Sequence, residues 1–545
     1  MAGTRPSSLF SRPVEPARAS SPLRRAFERG VDSLTASLDT LAASIAHGSR
    51  DDVQRSFRAA RTAYKHQEAL LAYYSPSVVS VANGPPADED DETPPRPLGS
   101  VAAFQRVEQR VFANAELTPR DRAAARADVR MMRDAVAHFR SHTALIDVRE
   151  SQVLDAARTE LARVCVVSMA GVDTDASSDG ILEAAASLEG VRSIAAVAAS
   201  GATAAPPASW QALDSLLGRA IHALHSAADF DSMDRLAFIV DYANPVGHAI
   251  QRVRREVAPQ NLPVRSVWRP EAATLFEANA FDASAYAPDF AIAATPDVVA
   301  LGERLFNDVR LSGPQTRSCA SCHLPRLAFS DGASRHSAIG DASRHVARNT
   351  PTVLNAALQP TLFADGRAKT LEGLIAKVLA SPEEMSSSAD LVASRLSSDA
   401  TYRDAFAHAY SAHGDSDVTA GMLRAVLAAY IRSLVTLESP FDAAVRGDAN
   451  ALTQAERRGF TVFMGKGRCG TCHFAPLFNG AMPPTFTTAE PEIIGTPVRP
   501  DSAGAVLDAD KGRGGVDGVD EHAHAFKVPT LRNVALTAPY MHNGA

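Results

Sequence analysis

The chain has 545 residues, 46% of them hydrophobic and 21% charged, an ordinary globular mixture with length for three or four domains at roughly 150 residues each. Lys and Arg number 55 against 62 Asp and Glu, a net charge of −7, which argues against a nucleic acid partner. No uncharged apolar run approaches the roughly 18 residues of a membrane span, and the start, rich in Ser, Pro and Arg, has no apolar stretch of about 7–15 residues such as an export signal carries.

Residues 1–25 lack periodicity and are expected to be disordered. From 26 to 265 the chain reads as a helical domain: 26–45, 51–74, 102–112, 119–141 and 150–168 carry apolar residues at three- and four-residue spacing. The acidic, proline-rich stretch 83–97 and the small-residue stretch 198–209 are breaks, and helix resumes over 210–227 and 235–257. Charged residues here are expected on solvated helix faces. Cys165, in an apolar run, reads as a small buried hydrophobe. No strand alternation is strong enough to predict a sheet, so the fold class is all-α.

The other four of the five cysteines form two identical patterns, Cys319-Ala-Ser-Cys322-His323 and Cys469-Gly-Thr-Cys472-His473. C-x-x-C-H is the attachment signature of c-type haem. Two thiols add across the vinyl groups of one haem, and the adjacent histidine brings an imidazole nitrogen to the iron. A redox disulfide would not require the histidine. A zinc ribbon would set its Cys pairs about 15–20 residues apart, whereas 469 − 319 = 150 positions separate these. Chance would produce one such motif about once in a thousand chains of this composition, and two about once in a million. Two covalent haems are expected, with His323 and His473 as iron ligands.

Each motif follows a similar lead-in. Leu301-Gly-Glu-Arg-Leu-Phe306 precedes the first and Arg458-Gly-Phe-Thr-Val-Phe463 the second, each an amphipathic helix whose glycine would allow close packing beside the haem. Two tandem cytochrome c-like domains follow, 270–440 and 441–545, behind the N-terminal helical bundle.

Further strings carry a resemblance. Phe329-Ser-Asp-Gly332, Arg348-Asn-Thr-Pro-Thr-Val-Leu-Asn-Ala-Ala357, Ala364-Asp-Gly-Arg-Ala368, Ser381-Pro-Glu-Glu-Met385 and Phe526-Lys-Val-Pro-Thr-Leu-Arg-Asn-Val-Ala-Leu-Thr-Ala-Pro-Tyr-Met-His-Asn-Gly544 stand in order over about 270–545. This half resembles the dihaem cytochrome c peroxidase family, which includes the dihaem enzyme of methylamine-dehydrogenase maturation. Tyr64-Lys-His-Gln-Glu68, Tyr73-Tyr-Ser-Pro76, Asn83-Gly-Pro85 and Phe104-Gln-Arg-Val-Glu108 make the N-terminal half similar to an imelysin-like domain.

The resemblance implies a peroxidase in which the first haem reduces hydrogen peroxide and the second, electron-transfer haem collects electrons from a small cytochrome c or cupredoxin. It places the acid–base carboxylate at Glu384, with Glu383 as nearest competitor, and an interdomain calcium ion on Asn349, where hard oxygen ligands suit that cation. Three positions depart from the family. Asp341 stands where a histidine often caps the first haem; aspartate is a poor haem ligand, so that haem is expected to be five-coordinate and active without reductive activation, and His336 and His345, nearby as substitutes, are expected to be solvent-exposed. Leu374 replaces a supporting glutamine. Ala364 replaces an aromatic on the route between haems. The family continues past His-Asn-Gly with a helix bearing the second haem's distal ligand, so the second domain reads as C-terminally truncated; Met541 is expected to pack, and Met464 and Met482 are weak candidates for that ligand. Covalent haem attachment implies a periplasmic location, against the missing signal. A dihaem oxidase of a protein or organic substrate and a non-enzymatic dihaem electron carrier are the alternatives, and a homodimer stays open.

Overall fold

The computed structural model describes residues 21–84, 102–113, 116–202, 207–257, 266–333, 337–410, 417–489, 491–500 and 503–545. The expected disordered start is corrected at its end. Helix α1 (Pro22–His47) begins where the Ser21 hydroxyl accepts the Arg24 N–H at 3.1 Å, with proline in the first turn. Its apolar positions Leu23, Phe27, Val31, Leu34, Leu38, Leu41 and Ile45, spaced by three and four, are all buried. Helix α2 (Arg50–Tyr74) starts at a reciprocal Ser49/Asp52 cap. The bundle continues with α3 (Pro76–Asn83), α4 (Ala103–Glu108), α5 (Pro119–His142), α6 (Glu150–Val166), α7 (Gly180–Ala202), α8 (Ala208–His225), α9 (Arg235–Phe238) and α10 (Asn244–Val257). Helix α7 runs through the start of the break expected at 198–209. Most of the stretch 83–97 lies outside the described residues. Cys165 is 2% exposed, and burial pushes its thiol up to about 12.

The expectation of solvated charges fails at the centre of the bundle. Arg61, Lys65, Glu68, Glu108, Asp173 and Glu183 are all buried. Lys65 Nζ donates to Glu68 at 2.8 Å and to Asp173 at 2.6 Å, Asn83 Nδ2 donates to both carboxylates at 3.0 Å, and Arg61 forks onto Glu183. The sequence hid this because helical periodicity marks apolar positions, whereas a fully paired ionic cluster occupies the same inward face. Burial pushes Glu108 up to about 8, so this carboxyl is neutral at pH 7 while the cluster's other carboxylates face cations.

Eight helices carry the second half among the described residues: α11 (Pro296–Phe306), α12 (Leu371–Ala380), α13 (Ala389–Ser397), α14 (Ala400–Ala409), α15 (Ala420–Ser433), α16 (Pro440–Val445), α17 (Gln454–Met464) and the short α18 (Gly514–Asp517). Two short antiparallel pairs, Ser337–Ala338 with Asp341–His345 and Pro491–Glu492 with Phe526–Lys527, are the strands among the described residues. The first haem unit has its own core, built by α11 to α15. The second does not. Phe460, Met464, Phe474, Leu477 and Phe486 belong to one continuous core with the N-terminal bundle.

The two lead-in helices therefore differ. A Cβ on Gly302 would lie 2.6 Å from both the Val426 carbonyl and Tyr430 Cβ, so glycine lets α11 seat on α15. Gly459 has nothing within 4 Å, and α17 packs instead on α9 of the bundle. The close approach expected at Gly459 is absent, because α17 meets no counterpart of α15 among the described residues. In the bundle, a Cβ on Gly190 would sit 2.2 Å from the His66 carbonyl.

Gly190→Ala should destabilise the chain by about 1–3 kcal/mol through overpacking, whereas Gly459→Ala should stabilise it by up to about 1 kcal/mol. Denaturant melts of both variants check the contrast.

Candidate functional site: two haem-attachment loops

After α11 the chain turns through 312–317, where the Ser312 hydroxyl accepts the N–H groups of Thr316 and Arg317 at 3.1 Å each. Cys319 to Ser321 form one 3-10 turn, and the His323 N–H returns to the Cys319 carbonyl at 3.0 Å. This brings Cys319, Cys322 and His323 together. His323 Nδ1 lies 3.0 Å from the Phe329 carbonyl. A carbonyl only accepts, so Nδ1 carries the proton and Nε2 is the metal-facing nitrogen. Phe306, from α11, sets its ring beside those of His323, Phe329 and Tyr430.

The second loop repeats the geometry with other partners. Cys469 to Thr471 form the turn, and the His473 N–H bonds the Cys469 carbonyl at 3.0 Å. His473 Nδ1 faces the carbonyls of Pro529 at 3.0 Å and Phe478 at 3.3 Å. Burial lowers the basicity of this imidazole, while the Phe478 and Pro529 carbonyls act the other way. Pro529 is itself fixed from below: Arg532 bonds the Pro476 carbonyl and grips Asp442 of α16 with two bonds of 2.7 and 2.8 Å. The N-terminal bundle touches this loop as well. Arg468 pairs with Asp175, and a Cβ on Gly470 would meet Ala170 Cβ at 3.4 Å.

These residues fit haem c. None of the five cysteines forms a disulfide, both C-x-x-C turns are held by the adjacent backbone, and each histidine commits Nδ1 to a carbonyl.

Glu384 lies in the turn after α12, where the N–H groups of Met385 and Ser386 bond the Ser381 carbonyl at 3.2 and 2.8 Å. That turn is pinned to the first attachment loop. The Gly313 N–H donates to the Met385 carbonyl at 2.8 Å, and Arg317 Nη1 donates to the carbonyls of Glu383 and Glu384 at 3.3 Å each. Burial pushes the Glu384 carboxyl above the ordinary carboxylate range; Glu383 adds to the rise, while the Ser381 hydroxyl and the cations Arg367 and Arg317 pull it down. Glu383 turns outward and accepts from Arg344 at 2.5 Å. The two neighbouring carboxyls thus have different environments, which the sequence alone could not distinguish.

Asp341 Oδ1 accepts the N–H and hydroxyl of Ser343 at 3.0 and 2.6 Å in the exposed hairpin. His345 is exposed on the paired strand, and His336 lies outside the described residues. Leu374 packs against the first core. Ala364 offers its carbonyl to the Lys527 N–H at 2.7 Å, and the neighbouring aromatic, Phe363, lies 3.6 Å beneath the Arg367 guanidinium. Asn349 reaches across the two haem units: its N–H bonds the His542 carbonyl at 2.7 Å and its Nδ2 the Pro539 carbonyl at 2.5 Å, while Oδ1 is buried with no hydrogen-bond partner. That orphan acceptor suits one cation ligand, although no group of three or more His, Cys, Asp or Glu among the described residues could hold a metal ion. Met541, expected to pack, is 44% exposed. Met464 is buried in the shared core and Met482 packs against it. No helix among the described residues is long and apolar enough to cross a membrane.

Residues 296–450 match the family model described as di-haem cytochrome c peroxidase. The methylamine utilization protein MauG of Methylorubrum extorquens is 37% identical over 250 residues, which cover 46% of this chain and 65% of that protein. The cytochrome c551 peroxidase of Nitrosomonas europaea is 35% identical over 248 residues, covering 46% of this chain and 69% of that one. The chain thus spans about two thirds of the length of these relatives. A solved structure of a MauG-like protein associated with microbial copper homeostasis is 33% identical with a TM-score of 0.41, over 46% of this chain and 73% of that one.

Asp442→Asn should leave the Arg532 guanidinium, 8% exposed, without its anion, at a cost of about 3–5 kcal/mol. Despite its burial, Asp442 is held below its ordinary value of 3.8 by Arg532 and Ser439. The contribution is therefore full above that value and lost as pH falls through the folded pKa. Thermal melts should show a gap between wild type and variant at neutral pH that closes on acidification.

Proposed function

The chain belongs to the dihaem cytochrome c peroxidase family, and on that premise we propose that it reduces hydrogen peroxide to water with electrons from a small redox protein, a cytochrome c or a cupredoxin. Two electrons and two protons convert each peroxide to two waters. Bound haem c supplies redox-active iron and, at one of the two centres, a coordination position for peroxide. Cys319 and Cys322 would hold the peroxide-reducing haem and His323 its iron; Cys469, Cys472 and His473 would hold the electron-collecting haem.

The observation that carries this reading is the desolvated Glu384 carboxyl, pinned to the first attachment loop while Glu383 is drawn off by Arg344. In its carboxylate form Glu384 takes the proton from peroxide, then returns it to the departing oxygen, which leaves as water. Asp341, engaged by Ser343, does not compete for the sixth position, so activity needs no prior reduction. The Lys527–Ala364 bond joins the two halves where the family's aromatic is missing, and the adjacent Phe363, under Arg367, would be the aromatic that serves electron transfer there. Asn349 Oδ1 would contribute one ligand to an interdomain calcium ion, with carbonyls and waters supplying the rest. Thioether haem attachment places the working protein in the periplasm.

A second reading, oxidation of a protein or organic substrate, is favoured by the 37% identity to a MauG protein. It would be supported by substrate oxidation with peroxide that proceeds without any cytochrome or cupredoxin.

Glu384→Gln should lower kcat/KM for peroxide at least about 100-fold in protein whose Soret band and mass report both haems, and Glu383→Gln should change it less than about threefold. The wild-type rate should rise with pH through a limb above the ordinary carboxylate range, because the basic form is the active one. Steady-state peroxide turnover across pH checks both.

A further inference from the structure

Resting on the acid–base reading of Glu384, we propose that Arg317 is the positioning residue that fixes this carboxyl over the first attachment loop and keeps it ionisable there. Arg317 stands two residues before Cys319, on the strand of chain that carries the first thioether. Its guanidinium bonds no side chain among the described residues. It donates instead to three backbone carbonyls: Ser337 at 2.8 Å through Nη2, and Glu383 and Glu384 at 3.3 Å through Nη1. One planar fork therefore ties three segments together: the attachment loop, the carboxylate turn and the first strand of the hairpin.

The surrounding bonds show why the fork is needed. Among the described residues the backbone of turn 381–386 has two other ties to these segments, the Gly313 N–H to the Met385 carbonyl and the Ile339 N–H to the Glu383 carbonyl, both 2.8 Å, and the Glu383 side chain adds a bond to Arg344 of the hairpin. Gly313 has no side chain to add a third, since a Cβ there would lie 2.1 Å from the Ser386 carbonyl. Without Arg317 the Glu384 carbonyl has no other bond to the attachment loop among the described residues, and the carboxyl can swing with it. Lysine carries the same charge on a single nitrogen and does not reproduce a planar two-armed grip on three carbonyls.

Charge adds a second effect. The groups acting on the Glu384 carboxyl are the Ser381 hydroxyl, Arg367, Glu383 and Arg317. Glu383 is itself paired with Arg344, and Arg367 is shared with Asp365 at 2.7 Å. Arg317 bonds no carboxylate among the described residues, so its charge is directed at the carbonyl dipoles and at Glu384.

The test is peroxide turnover against pH for Arg317→Gln, Arg317→Lys and Glu384→Gln, each in full-length holoprotein checked by mass and Soret band for two haems. Arg317→Gln should lower the high-pH plateau of kcat/KM about tenfold through misplacement and move the acid limb upward by about half a pH unit, since a nearby cation is lost. Arg317→Lys should leave the limb in place and still lower the plateau. A merely structural arginine would reduce yield or stability without moving the limb. If Arg317→Gln keeps both plateau and limb of the wild type, the inference is overturned. If it does not retain its haem, Arg317→Lys decides, and a wild-type plateau there overturns it equally. Full activity in Glu384→Gln would overturn the acid–base reading instead, whatever the arginine variants do.

Discussion

An imidazole that is to serve a metal through Nε2 is oriented by an acceptor that holds its Nδ1–H, and both candidate histidines of this chain have such an acceptor. The C-x-x-C-H turn by itself places the histidine but leaves its ring free to rotate. At His323 the missing constraint is the Phe329 carbonyl, reached within the same loop. At His473 the Phe478 carbonyl of the same loop, at 3.3 Å, is joined by the Pro529 carbonyl at 3.0 Å, 56 positions away. A local bond tolerates movement elsewhere in the domain, whereas a distant one must be braced. The brace is the Asp442–Arg532 pair, whose burial makes it costly to break and therefore rigid. The two attachment loops look alike in sequence but differ in what their orientation depends on.

The same contrast runs through the acid–base candidate. Glu383 and Glu384 are adjacent in a turn, and their chemistry separates by environment. Glu383 is drawn outward by the exposed Arg344. A desolvated carboxyl rises toward the range in which it can both accept and return a proton. What decides which of the two is desolvated is the direction of the turn, and backbone bonds from Gly313, Ile339 and Arg317 set that direction.

Legibility followed the range of the interaction. The helices of the bundle were readable because three-four spacing is a local property, as in the seven buried positions of α1. The attachment motifs were readable because thioether chemistry demands fixed spacing. The ionic heart of the bundle was not, since Asp173 meets Lys65 and Glu68 of α2 from a distant segment and charge on an inward face looks the same in sequence as charge on an outward one. Arg317 was silent for a related reason: it acts on backbone carbonyls, which leave no residue signature. Gly302 and Gly459 show the limit of a repeat, since equal positions in two lead-in helices meet a packed helix in one case and open space in the other.

The shared core changes what the N-terminal bundle is for in physical terms. A haem unit that stood alone would close its own core, as the first does with α11 and α15. In the second, α17 packs on α9, and Phe460, Met464, Phe474 and Phe486 share one buried core with the bundle. Fully burying a side chain of that size is worth about 1.5–3 kcal/mol, so a handful of them equals the net stability of a typical domain. The contact extends to the chemistry-bearing loop itself, through Arg468 on Asp175 and Gly470 against Ala170. The segment that bears Ala170 and Asp175 also bears Asp173, a member of the ionic cluster. Rigidity in the heart of the bundle is thereby passed, over a few residues of one segment, to the turn that holds Cys469 and Cys472.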